Sequence, residues 1–96
     1  MKIFVKDIVT DNSSNASGYE LYRASKDDLK EGKIIHLSFL RAPSPSTSFL
    51  NSSFGALIEE LGLDRFLDLV KPSEVTHTQA SMLKHYIHGF RSEAEA

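Results

Sequence analysis

The side chains of this 96-residue chain best suited to chemistry are the hydroxyls of Pro43-Ser44-Pro45-Ser46-Thr47-Ser48-Phe49-Leu50-Asn51-Ser52-Ser53-Phe54-Gly55, which follow the apolar run Ile34 to Leu40 and open an amphipathic segment. That order puts a row of hydroxyls where a strand hands over to a helix. The first backbone N–H groups of a helix are unpaired and carry partial positive charge, so a hydroxyl there can cap the helix, hold an anion or accept a phosphoryl group. As a cap, one of Ser46, Thr47 and Ser48 turns its oxygen inward, with Ser44 and the two prolines shaping the turn. As a phosphoacceptor, a hydroxyl faces outward, and the added dianion meets the dipole and several N–H groups. Arg41, just upstream, would serve as counter-charge for a bound anion or phosphate ligand.

Other reactive types are scattered. His85 and His88 lie three apart, a spacing that can put two imidazoles on one side of a helix, and His77 comes earlier. No glutamate completes a His-Glu-x-x-His arrangement and the chain has no cysteine, so the histidines read as a solvated helix face rather than a metal site. His36, in the middle of a strand pattern, reads as an interior or half-buried histidine. Lys84, His85, His88 and Arg91 form a basic flank, but a net charge of -2 and a pI near 6.0 argue against nucleic acid. The pairs Asp27-Asp28 and Glu59-Glu60 are sequence neighbours, about 100° apart around a helix, and so are not a paired-carboxylate acid and base. No nucleophile elbow, Walker loop or dinucleotide glycine fingerprint is present, and the expectation is a protein without catalytic activity or cofactor.

These residues must be positioned by one domain, residues 1–96, since the length leaves no room for a second core. Lys2 to Val9 is short and β-branched and ends at the turn-forming cluster Asp11-Asn12-Ser13-Ser14-Asn15, predicting a strand and a loop. Ser17 with Glu20 forms a capping-box pattern, Leu21, Tyr22, Ser25 and Leu29 share one face, and Gly32 is placed as a stop, predicting a helix. Ile34 to Leu40 is apolar on both alternating faces and predicts a central strand covered on both sides. Leu50, Phe54, Leu57, Ile58 and Leu61 recur at helical spacing up to Gly62. Phe66 to Val70 predicts a third strand, closed by Lys71-Pro72. Thr76 with Gln79 is a second capping box, opening a helix whose stripe is Leu83, Tyr86, Ile87 and Phe90; residues 91–96 read as a frayed tail. Alternating strands and helices predict an α/β fold with a mostly parallel or mixed sheet flanked by helices. The early charges at Lys2, Lys6 and Asp7 do not make a secretory leader, no apolar run is long enough for a membrane span, and a cytoplasmic setting is expected.

The strand Ile34-Ile35-His36-Leu37-Ser38-Phe39, the serine-rich turn and the helix opening Ser48-Phe49-Leu50-Asn51-Ser52-Ser53-Phe54-Gly55-Ala56-Leu57-Ile58 together resemble the STAS-like family of small bacterial proteins. They are similar, more distantly, to the anti-sigma-factor antagonists, and the likeness runs from about Gly18 through the last helix. In the antagonists this turn carries an aspartate, then a serine or threonine phosphorylated by a partner kinase that is also an anti-sigma factor, then Ser-Gly. The resemblance implies a regulatory protein-interaction module with Thr47 or Ser48 as phosphoacceptor and a serine kinase or anti-sigma-like ATPase as partner. Arg41, Ser44, Ser46, Phe49 and Asn51 would make the partner surface, with Phe49 either its aromatic anchor or part of the core. Two departures stand out: no acidic residue precedes the hydroxyls, and bulky Phe49 occupies the glycine position. The alternative is a small anion or phosphate ligand held at the same helix N-terminus.

Overall fold

A computed structural model describes the backbone of residues 1–9 and 14–95 and the side chains among them through Phe90. Three short strands, β1 (Lys2–Phe4), β2 (Ile35–Ser38) and β3 (Val70–Ser73), form one parallel sheet in the order β1-β2-β3. The strand expected at the centre is there, with Ile3 opposite Leu37 and Ile35 opposite Val70. Between β1 and β2 come α1 (Val5–Ile8) and α2 (Asn15–Lys30); between β2 and β3 come α3 (Thr47–Leu50), a wide π turn (Asn51–Gly55), α4 (Ala56–Leu61) and α5 (Leu63–Leu69); α6 (His77–Glu95) closes the chain.

The expected cover on both sides of β2 is incomplete: Ser38 is fully buried, but His36 on the same face is exposed. In a sheet of order 1-2-3, successive crossovers of one hand deliver every connecting helix to the same face. Ile35, Leu37 and Val70 are accordingly buried beneath the helices, whereas the row Lys2, His36 and Lys71, in register across the three strands, is exposed on the other face. His36 is thus a surface residue rather than an interior one. The bare face is crossed by one polar clasp: Glu74 accepts a hydrogen bond from Ser38 Oγ at 2.8 Å and pairs with Lys2 Nζ at 2.5 Å.

Other boundaries also move. Only Lys2–Phe4 of the first segment is strand, and Val5–Ile8 turns into a helix that buries Val5. α2 starts earlier than its capping box implied, because Ser14 and not Ser17 is the cap, accepting from Ser17 N at 3.0 Å. The Asp11, Asn12 and Ser13 part of the expected loop lies outside the described residues. The third strand comes later: Leu63, Phe66 and Leu67 recur at i, i+3 and i+4, the spacing of a helix, and pairing begins at Val70. Pro72 fits inside β3 because β3 is an edge strand, whose outward N–H needs no partner in the sheet. Helix α6 continues to Glu95, through most of the segment expected to fray.

The elements pack through the residues their periodicities chose. Leu21, Tyr22, Ser25 and Leu29 of α2 are buried, as are Leu50, Phe54, Leu57 and Ile58, with Leu61 half-buried. Gly32 and Gly62 end their helices at φ 84 and 88, a backbone region that costs a side chain but not glycine. α2 also approaches the serine-rich helix very closely. A Cβ added at Gly18 would stand 2.2 Å from the carbonyl oxygen of Phe49, closer than any carbon can come. Ser52 Oγ donates to the Asn15 carbonyl across the same junction at 2.6 Å.

Candidate functional site

Strand β2 ends at Ser38, and the chain reverses at Leu40 and Arg41 through a turn closed by Ala42 N–H donating to Phe39 O at 2.9 Å. Arg41 adopts φ 59, a left-handed backbone that few non-glycine residues take, and its side chain is exposed. The loop then runs to Ser46 with Pro45 fully buried as its pin.

The sequence left open which hydroxyl caps the helix; the geometry settles that it is Ser46. Its Oγ accepts from Phe49 N at 3.1 Å, and its carbonyl accepts from Leu50 N. Thr47 and Ser48 then occupy the first two helical positions, both exposed, and among the described residues neither hydroxyl has a hydrogen-bond partner. No acidic side chain lies in this first turn.

The remaining expected surface residues divide. Arg41 and Ser44 are exposed beside the turn, and Ser46 is half-buried as the cap. Asn51 is exposed, but its Oδ1 accepts from the Tyr86 hydroxyl at 2.8 Å and so fastens α6. Phe49 is 0 % exposed and belongs to the core, so it is no anchor for a partner. The strand-to-helix register explains this: with Ser46 as cap, position 49 falls on the inward stripe with Leu50, Ser53 and Phe54.

Below the turn the helix widens over Asn51–Gly55, and the Ser53 hydroxyl donates to the Phe49 carbonyl at 2.7 Å. Single wide turns of this kind recur at working surfaces, where one extra residue rotates the remainder of the helix about its axis.

One residue of the site was missed by sequence reasoning. Gln79, 2 % exposed on α6, accepts from Thr76 N through Oε1 at 2.9 Å, while its own N–H bonds to Thr76 Oγ1 at 3.1 Å, completing the expected capping box. Its amide nitrogen reaches further, donating to the carbonyl of Ala42 at 2.7 Å. The serine-rich loop is therefore tied to α6 by a buried amide. Nothing local in the sequence marks that reach of 37 residues.

A cleft of about 320 Å³ beside the turn is lined by Thr47, Leu50, Ser81, Met82, His85 and Tyr86. It takes in a histidine but not Arg41, Ser46 or Ser48, so the convergence that an anion site at this terminus calls for is not formed. His77, His85 and His88 make no metal group among the described residues.

A small one-faced parallel α/β domain, with a capped serine-rich turn at the carboxyl end of its central strand, is the class that these features define. The chain belongs to the family described as STAS-like domain of unknown function (DUF4325), whose model matches residues 17–80, from the first turn of α2 to the start of α6. No curated protein and no solved structure matches it. No helix among the described residues is long and apolar enough to cross a membrane.

Proposed function

We propose that this STAS-like domain is a non-enzymatic, cytoplasmic regulatory module that a protein partner engages at the serine-rich turn, with Thr47 or Ser48 as the phosphoacceptor. The observation that carries the reading is the division of labour among three hydroxyls: Ser46 holds the cap, and Thr47 and Ser48 stand exposed at positions one and two with no protein partner among the described residues. A phosphoryl group added at either would lie against the first turn of the helix, with Arg41 on the preceding turn and no acidic residue in that first turn. The kind of partner is drawn from likeness to the anti-sigma-factor antagonists: a serine kinase or anti-sigma-like ATPase. With Phe49 in the core, the partner surface is polar, made by Arg41, Ser44, Thr47 and Ser48.

The test is capture of partners from native lysate by the wild type and by a Thr47→Ala/Ser48→Ala double variant, with phosphosite mapping of the recovered chain. Purified Ala and Asp variants are then titrated against the captured protein. The proposal expects a partner whose affinity changes more with Asp than with Ala. It fails if Ala and Asp at both positions bind as the wild type does.

A further inference from the structure

The side of α6 away from the serine-rich loop does not close onto the domain. A cleft of about 620 Å³ opens there, inside the range of roughly 300–1,000 Å³ usual for small-molecule sites. Its floor is apolar, built by Phe66, Leu67 and Val70 on the α5–β3 side and by Leu83 and Ile87 on α6. Among the described residues, the polar side chains lining it are Lys84, His85 and His88, all exposed, and no carboxylate lines it. Lys84 and His88 are one helical turn apart and stand side by side along the rim.

The anchors of α6 lie on the stripe of the helix next to this cleft. Gln79 holds Ala42, and the Tyr86 hydroxyl holds Asn51. Tyr86 and Phe90 pack edge to face over Gly55, where a Cβ would meet the Tyr86 oxygen at 2.7 Å. The helix is thus fixed along one stripe, and the adjacent stripe overhangs an apolar floor.

An apolar trough with donors and positive charge at one edge is complementary to a molecule with a hydrocarbon body and an anionic end. We propose that the cleft binds an unbranched aliphatic carboxylate, a chain of about eight to twelve carbons being well within the cavity volume. The chain lies along Leu67, Pro72, Val75 and Ile87, apolar lining residues with accessible surface, and the carboxylate meets the Lys84 ammonium and an imidazole N–H of His88. A nucleotide does not suit these walls, which offer nothing to orient a base or a sugar. The site shares His85 with the smaller cleft beside the serine-rich turn but does not depend on the phosphoacceptor reading.

Calorimetric titration of the full chain with decanoate, octanoate, 1-decanol and inorganic phosphate, each below its aggregation threshold, tests it. Saturable one-to-one binding of decanoate is expected, with octanoate weaker by about fourfold for each methylene lost from the floor. Decanol should bind less tightly, and phosphate not in the cleft at all. Lys84→Ala with His88→Ala, both at exposed positions, should weaken decanoate about two- to tenfold and leave decanol unchanged. Ala80 also lines the cleft, so Ala80→Phe intrudes on it and should abolish binding of both decanoate and decanol, with circular dichroism checking that the helices persist. The proposal is overturned if the wild type does not bind decanoate, if decanol matches decanoate, if the double variant binds decanoate as the wild type does, or if phosphate alone competes.

Discussion

At the scale of single residues, the turn after β2 separates tasks that its composition runs together. Ser46, Thr47 and Ser48 are chemically near-equivalent, and only the helix start assigns them. Ser46→Ala should therefore cost about 1 kcal/mol in a chemical melt, the usual loss for a removed cap, while Ser46→Asp should hold stability because Asp also caps. Thr47→Ala and Ser48→Ala, which remove exposed hydroxyls, should each stay within about 0.5 kcal/mol of the wild type. If Thr47→Ala or Ser48→Ala proves as costly as Ser46→Ala, the register read for this helix is wrong. Arg41 offers a cleaner probe of binding than most surface charges. Since its backbone is already left-handed, Arg41→Gly removes the guanidinium and relieves conformational strain together. That variant should fold at least as stably as the wild type, so any loss of partner affinity would belong to the charge.

At the scale of elements, what was legible in the sequence is what local rules decide. The Thr76-x-x-Gln79 box closes within one turn, Gly32 and Gly62 need only their own φ, and the stripe Leu50, Phe54, Leu57, Ile58 is written in its spacing. The position of the serine-rich turn was legible for the same reason. Long-range geometry decided the rest. Phe66 to Val70 is as apolar as a strand, and only the i, i+3, i+4 spacing from Leu63 and the edge position of β3 move the boundary past it. The cap of α2 is Ser14 and not Ser17, which is buried and accepts from the Ser14 hydroxyl at 2.9 Å. The Gln79 amide on Ala42 joins elements that no local pattern connects. The junction of α2 with the serine-rich helix is the sharpest such case, and it yields a prediction. Because the Phe49 backbone, and not only the Ser52 hydroxyl, blocks a Cβ at Gly18, Gly18→Ala should destabilise by about 1–3 kcal/mol despite its favourable helix propensity. Leu57→Ala, which empties space in the same layer, should cost about 2–5 kcal/mol. Urea melts of both variants read these costs directly, and a stabilised Gly18→Ala would mean that the two helices stand further apart than the structure has them.

For the whole molecule, the consequence of a one-faced sheet is that its two ends are held together by ionisable contacts rather than by a second layer of core. On the bare face, Glu74 bridges Lys2 of β1 and Ser38 of β2; the Lys2 bond, and then the Ser38 hydroxyl, hold its carboxyl below the ordinary glutamate value. On the helical face, Tyr22 of α2 donates to Glu60 of α4, which also pairs with Lys30 at 3.2 Å. That hydrogen bond lowers the Glu60 carboxyl and raises the Tyr22 phenol to about 12, with burial adding to the latter. The signs are opposite. A carboxylate that holds its proton less tightly in the folded chain stabilises it above the unfolded value, near 4.5, and that contribution disappears as the pH falls through the lowered folded value. A phenol that holds its proton more tightly contributes fully below about 10, and the contribution drains away as the pH rises toward about 12. Stability should therefore be flat through neutrality, fall below about pH 4.5 and fall again above about pH 10. Glu74→Gln should flatten part of the acid limb and leave the alkaline limb alone. Tyr22→Phe should flatten the alkaline limb, and it should also soften the acid limb, since it removes the bond that lowers Glu60. Urea midpoints of the wild type and both variants, taken from about pH 3 to about pH 11, separate the two clasps; an alkaline limb that survives unchanged in Tyr22→Phe would show that the Tyr22–Glu60 bond does not couple α2 to α4 in solution.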